Sequence, residues 1–247
     1  MNFVAIQNTE SDFAVPWWYR KEFALPPNAA GRRVWINFQG INYRANIWLN
    51  AKRIADQTTV AGTFRQYEFD ITSQVNAGGL NVLALEIFRP VHPSDPGGDL
   101  AMTPVDWNPQ PPDLSMGLLN DVFITTSGPV AVRSPLVTSR LDLPSLDAAH
   151  LSVSAERKNS SDTSQRGILE GTIGTITFSQ EVRLAAGEVR EVGFSSDDFP
   201  QLNIAQPHLW WPWQYGEPFL YLLWPIVLPS LFHCRKSGVC LECTSSA

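Results

Sequence analysis

Four aspartates, Asp95, Asp99, Asp106 and Asp113, fall within one stretch of the chain, Arg89 to Gly117, and Trp107 stands next to the third. Ionised carboxylates only accept hydrogen bonds, which suits ligands rich in hydroxyls. An indole can lay its apolar face on the C–H face of a sugar while its N–H donates. Recognition of a polyol is therefore one chemistry open to these residues. A second is acid/base work by Asp106 and Asp113. It would need a water-excluding pocket that raises one pKa, and the sequence gives no reason for one. A third is a hard cation held by several aspartate oxygens, but the spacing matches no calcium loop. The plain structural reading, aspartates capping turns in a rigid connector, fits the composition equally well. His92, His150 and His208 show no nucleophile–base arrangement, and no glycine-rich phosphate loop occurs.

The stretch shows neither a helical nor a strand period. Loops beyond about 12–15 residues without structure of their own are usually functional or disordered. Its prolines restrict the backbone and lower the entropy cost of a fixed shape. It reads as a stiff polar loop presented by the strands on either side, Val82–Phe88 and Asp121–Ile124.

Those strands belong to a β-rich chain. Short runs recur between glycine and proline clusters, the pattern of a sandwich or barrel. Trp17 to Phe23 reads as a strand. In Arg33 to Gln39, the period of two puts Val34, Ile36 and Phe38 on one face. In Ala45 to Asn50, it turns Ala45, Ile47 and Leu49 inward, with a turn at Asn50 to Arg53. Phe64–Ile71 and Leu80–Phe88 follow, and Val122 and Ile124 close a first sandwich. A hinge is expected between Ser127 and Pro135. Beyond it, Leu151, Val153 and Ala155 alternate. Ile168–Ile173 and Thr175–Phe178 read as strands, and Ala185 to Glu188 reads as a hairpin turn between Gln180–Leu184 and Val189–Phe194. The expected fold is all-β. A jelly-roll domain over residues 1–132 precedes an immunoglobulin-like sandwich over 133–222, then an irregular, disordered tail over 223–247. Pro225 and Pro229 argue against a central strand in that tail.

Composition narrows the function classes. The 247 residues are 44% hydrophobic and 17% charged, enough for a real core. A net charge of −6 without a basic cluster speaks against a nucleic-acid partner. No apolar run reaches the ~18 residues of a spanning helix, so no membrane partner is expected. The N-terminus has no signal-peptide character, and the compartment stays open. Nine tryptophans suit sugar-binding faces as well as cores. Cys234, Cys240 and Cys243 follow His233, but only the last two have a zinc-like interval, so free thiols are preferred over a metal. No cofactor is expected.

Several motifs occur in one order. They are Trp17 to Phe23, Phe38-Gln-Gly-Ile-Asn-Tyr-Arg-Ala-Asn-Ile-Trp-Leu-Asn50, Phe69-Asp-Ile-Thr72, Val105-Asp-Trp-Asn-Pro109, Met116-Gly-Leu-Leu-Asn-Asp-Val122, and Leu209-Trp-Trp-Pro212 with Gly216 to Tyr221. Together they resemble glycoside hydrolase family 2, from its N-terminal galactose-binding-like jelly roll through its first immunoglobulin-like domain. The exo-β-D-glucosaminidase group is closest in flavour, followed by the β-mannosidases. The resemblance runs from about Pro16 to Leu222. It implies that the jelly roll lends a loop to the rim of an active site, with Asp106 and Trp107 on the terminal sugar. It implies the same for Asn42, with Asp113 as a weaker candidate. The plain alternatives are turn caps for Asp106 and Asn42 and a packing role for Trp107.

The resemblance also implies a pair of catalytic carboxylates, about 5–5.5 Å apart for a retaining reaction, on a following TIM barrel of at least ~200 residues. No barrel is legible here. The chain is expected to be a truncated, non-catalytic portion, inactive alone. Its partner would be a carbohydrate of β-linked glucosamine or mannose, joined by a separate catalytic barrel. A free-standing carbohydrate-binding module is the alternative. Two departures bear on the rim. Ala51 stands where the family's turn has glycine, costing about 1 kcal/mol if φ is positive. Leu119-Asn120 replaces a Trp-Arg-like pair.

Overall fold

The computed structural model describes residues 13–92, 95–101, 111–228 and 239–240. The chain folds as two compact units, with the boundary between Thr126 and Ser127.

The first unit is a two-sheet sandwich. Its strands are β1 (Trp17–Ala24), β2 (Arg33–Phe38), β3 (Ile41–Asn42), β4 (Arg44–Leu49), β5 (Lys52–Ala55), β6 (Tyr67–Asp70), β7 (Leu80–Phe88), β8 (Gly117–Leu118) and β9 (Val122–Ser127). One sheet runs β1-β7-β4-β5 and the other β6-β2-β9, while β3 and β8 form a separate pair. The alternation of β4 buries Ala45, Ile47 and Leu49, and β7 answers with Leu83, Leu85 and Ile87. Val34, Ile36 and Phe38 complete the core from the other sheet. Each fully buried Leu or Ile contributes about 1.5–3 kcal/mol. The one-face expectation for β2 is too narrow. Trp35 on its second face is 1% exposed, and Asn37 there is buried with its Nδ2 donating to Thr125 Oγ1 at 3.2 Å.

Between β4 and β5 the chain reverses in two residues, since Leu49 stands opposite Lys52. Asn50 has φ 50° and Ala51 φ 66°. Both central residues are left-handed, as a hairpin turn matched to strand twist requires. Asn50 Nδ2 donates to Gln74 O and Asn81 Oδ1 at 2.8 and 2.9 Å, and its Oδ1 accepts from Val82 N at 2.9 Å.

The second unit holds β10 (Val130–Leu141), β11 (Ala148–Asn159), β12 (Gln165–Ile173), β13 (Ile176–Leu184), β14 (Val189–Ser195), β15 (Asn203–Ala205), β16 (Leu222–Leu228) and β17 (Val239–Cys240). One sheet is β10-β11-β14 with β15 on the start of β11, and the other is β13-β12-β16-β17. Two four-stranded sheets thus face each other among the described residues, as a sandwich of immunoglobulin-like kind. The core between them holds Leu151, Val153, Leu169, Ile173, Phe178, Phe194 and Leu223. Phe178 and Phe194 meet edge to face at 4.7 Å.

Three sequence expectations change here. The hinge expected between Ser127 and Pro135 narrows to its start, where the unit boundary falls; Arg133 to Pro135 lies inside β10, where the register to β11 shifts between Arg133 and Leu136. Ser134 takes φ 47° and Pro135 supplies no N–H, so the pair makes a bulge within a continuous strand. Ala185 to Glu188 is no hairpin turn, because β13 pairs with β12 while β14 pairs with β11. The segment arches from one sheet to the other, and the real hairpin turn is Gly174-Thr175. Finally, the start of the expected irregular tail is strand β16, with Ile173 opposite Leu223 and Ile168 opposite Leu228. Pro225 pairs with Gly171. Among the described residues, β17 pairs with Leu222 and Leu223.

Candidate functional site

The described parts of the long loop are tied down at both ends, and the tie points are close together in sequence. At the entrance, Asp99 is 4% exposed. Its Oδ1 accepts from the Arg44 guanidinium at 2.6 Å, and its Oδ2 accepts from Val91 N at 3.0 Å. Asp99 N also donates to Val91 O at 3.0 Å. The Arg44 guanidinium lies 5.1 Å from the centre of the Tyr43 ring. A carboxylate this buried needs its charge compensated and its lone pairs filled, and these contacts do both.

At the exit, Asn42 is completely buried. Its Nδ2 donates to Leu114 O at 3.2 Å and Ser115 O at 2.8 Å. Its Oδ1 accepts from Thr63 Oγ1 at 2.7 Å. Both amide hydrogens and the carbonyl are in use, so Asn42 serves the loop's backbone. Leu114 and Ser115 carry φ 50° and 57°, which turns their carbonyls toward one side chain. Arg89 Nε donates to Pro112 O at 2.8 Å. Asp113 is half-buried, and its Oδ1 accepts from Ser115 N at 3.0 Å, so it caps its own turn. Gly117 has φ 144°, and a Cβ there would stand 2.8 Å from the Tyr19 hydroxyl oxygen. Only glycine lets the loop rejoin β8 this closely.

The expected site residues therefore separate. Asn42 and Asp113 are brought to the loop exit, where each holds chain to chain. Asp106 and Trp107 lie outside the described residues, as do His233, Cys234 and Cys243. The contributions of Arg44, Thr63 and Arg89 were not legible in the sequence. Their contacts join residues 21 to 55 positions apart, and no local pattern marks such pairs. Where surroundings shift a carboxylate, the direction suits a fixed anion and not a proton donor. The Thr58 hydroxyl holds Asp56 below its usual range, and the Arg166 guanidinium does the same to Glu181. Among the described residues no group of three His, Cys, Asp or Glu could hold a metal ion.

A sandwich carrying a pinned, polar-aromatic loop is the frame into which the comparisons fit. Residues 4–99 match the model for the glycosyl hydrolase 2 galactose-binding domain-like family, and residues 130–224 match glycosyl hydrolases family 2. The chain belongs to glycoside hydrolase family 2. An exo-β-D-glucosaminidase of Streptomyces avermitilis is 38% identical over 87% of this chain, which spans 23% of that relative. One of Amycolatopsis orientalis is 35% identical over 85% of the chain and 19% of its own length. The crystal structure of the Amycolatopsis orientalis exo-chitosanase CsxA superposes with a TM-score of 0.77 at 33% identity, over 90% of this chain and 25% of that one. This family 2 chain thus corresponds to the N-terminal portion of exo-β-D-glucosaminidase-like proteins and spans about a quarter of their length or less.

Proposed function

We propose that the Arg89–Gly117 loop forms one wall of a sugar site in an exo-β-D-glucosaminidase-type glycoside hydrolase, with Asp106 and Trp107 touching the terminal sugar. The observation that carries this reading is the double clamp. Asp99 on Arg44 and Asn42 on Leu114 and Ser115 fix the chain on both sides of the Asp106-Trp107 pair. Anchoring both flanks lowers the entropy cost of ordering the segment between them on binding, which favours recognition. Relatives bearing the name exo-β-D-glucosaminidase supply the substrate class, β-linked glucosamine. In this reading Asp106 accepts from sugar hydroxyls, Trp107 stacks on the ring, and Asn42 and Asp113 position the loop. The two carboxylates that cleave the bond come from a catalytic barrel outside these two units, in the same or a separate polypeptide.

Isothermal titration of the chain with glucosamine oligomers and with mannobiose tests this. Glucosamine oligomers should bind, and Asp106→Asn should weaken binding about tenfold, the value of a charge-assisted hydrogen bond. Equal binding by wild type and Asp106→Asn would remove the loop from the site. Preference for mannobiose would move the parent activity to the β-mannosides. Binding tighter than about millimolar by the chain alone would favour a free-standing carbohydrate-binding module.

A further inference from the structure

A second aromatic feature lies away from the loop, on the outer face of the β1-β7-β4-β5 sheet. Trp18 on β1 and Trp48 on β4 flank β7, where Trp18 stands opposite Glu86 and Trp48 opposite Ala84. The small Ala84 leaves room above the middle strand. The two indoles lean together across it, stacked with centroids 5.1 Å apart at 30°. Stacking would ordinarily hide such rings, yet Trp18 is 58% exposed. Glu86 lies in the same cross-strand row. Its Oε2 accepts from Asn46 Nδ2 at 2.8 Å, and Asn46 Oδ1 accepts from Gln57 N at 2.9 Å. That chain fixes the amide, and through it the carboxylate, beside the indoles. Three arginines share this face, and the first, Arg44 opposite Phe88, is held by Asp99 at 2.6 Å. Arg20, opposite Ala84, is held by Glu22 at 2.5 Å, and Arg53 stands opposite Trp48 on β5. Among the described residues, Glu86 itself forms no ion pair.

Indole faces beside an oriented, cation-free carboxylate are what an organic ammonium requires: the rings' quadrupoles and the anion both favour the positive charge. A protonated amino sugar presents an ammonium and an apolar C–H face together, so it can use both elements at once. We propose that this outer face is a second binding site for β-linked glucosamine, with the sugar stacked on Trp18 and Trp48 and its ammonium on Glu86. The choice of amino sugar rests on the substrate class of the loop reading, but the site does not share its residues. It would hold a polymer chain on the protein while the rim engages the chain's end.

Titration calorimetry of the whole chain with fully deacetylated glucosamine oligomers, and with N-acetylated oligomers of equal length, below neutral pH, tests the proposal. Expected are two sites per chain for the deacetylated ligand. Trp18→Ala and Glu86→Gln should each weaken one of them about tenfold and leave the other intact. Glu86→Gln keeps the acceptor for Asn46, so it serves if Trp18→Ala fails to fold by circular dichroism. Acetylation removes the charge and should weaken the same site. Wild-type binding by both variants, or equal binding of acetylated oligomers at the second site, would overturn the proposal. One site lost only in Asp106→Asn would overturn it and leave the loop reading standing. One site lost only in Trp18→Ala and Glu86→Gln would do the reverse.

Discussion

Replacing Ala51 with glycine should stabilise the first unit. Ala51 sits at φ 66° in the two-residue turn between β4 and β5. For an L-residue with a Cβ, that conformation costs roughly 1–2 kcal/mol. Glycine removes the cost but adds conformational freedom to the unfolded chain, worth about 0.4–1 kcal/mol in the opposite direction. The net expectation is a gain of about 0.5–1 kcal/mol. For a unit of this size that raises Tm by about 2–4 °C. Urea unfolding should show a higher midpoint with an unchanged slope, since the native surface is the same. Asn50 supplies the contrast, because it too has positive φ, at 50°. Its side chain holds Gln74 O, Asn81 Oδ1 and Val82 N. Asn50→Gly relieves strain but strands these groups, each left unmet at about 1–3 kcal/mol if buried. It should therefore destabilise. Ala51→Gly that is neutral or destabilising, or Asn50→Gly that matches it, would refute the assignment of strain to Ala51 and of hydrogen bonding to Asn50.

Other outcomes follow from single contacts. Asn42→Ala strands Leu114 O, Ser115 O and Thr63 Oγ1. It should cost about 2–4 kcal/mol and speed proteolytic cleavage between Arg89 and Gly117, as read by timed digestion against wild type. Gly171→Ala would set a Cβ 2.4 Å from the Phe178 ring. The ring must leave its place against Phe194, so denaturation should show a loss of about 1–3 kcal/mol in the second unit. Glu181 is bonded through both oxygens by Arg166 at 2.5 and 2.7 Å, which lowers its pKa from 4.5. The folded value lies below the unfolded one, so the pair's support is present above the unfolded pKa and fades as pH falls through the folded pKa. An NMR pH titration should place the Glu181 midpoint below 4.5, and Arg166→Gln should return it upward.

Much of the fold was legible because burial on one face imposes a period of two. Ala45, Ile47 and Leu49 are inward as the alternation requires, and Leu151, Val153 and Ala155 behave likewise. The failures came where local pattern and global pairing separate. A short glycine-containing turn looks the same whether the next strand returns beside its neighbour or crosses to the opposite sheet, and Ala185 to Glu188 crosses. Pro225 argued against a strand, but β16 runs through it, with Pro225 opposite Gly171 on β12. Asn42 is the instructive site residue. Its identity pointed to a polar role, but only the fold shows that Leu114 and Ser115, 72 and 73 positions later, consume its hydrogen bonds. Asp106 and Trp107 lie outside the described residues, and the binding titration is what tests the role the family resemblance implies for them.

The double clamp has a consequence for how the loop itself can change. Asn42 holds the loop's exit, and Arg44, two residues on, holds its entrance. The two ends of a long excursion are thus gathered by one three-residue stretch of scaffold. Loop-closure cost grows only slowly with length once the ends are fixed. The interior can then gain, lose or exchange residues while the sandwich beneath it keeps its register. The loop is a replaceable cassette, exchangeable between Asp99 and Asp113 without redesigning the sandwich that carries it.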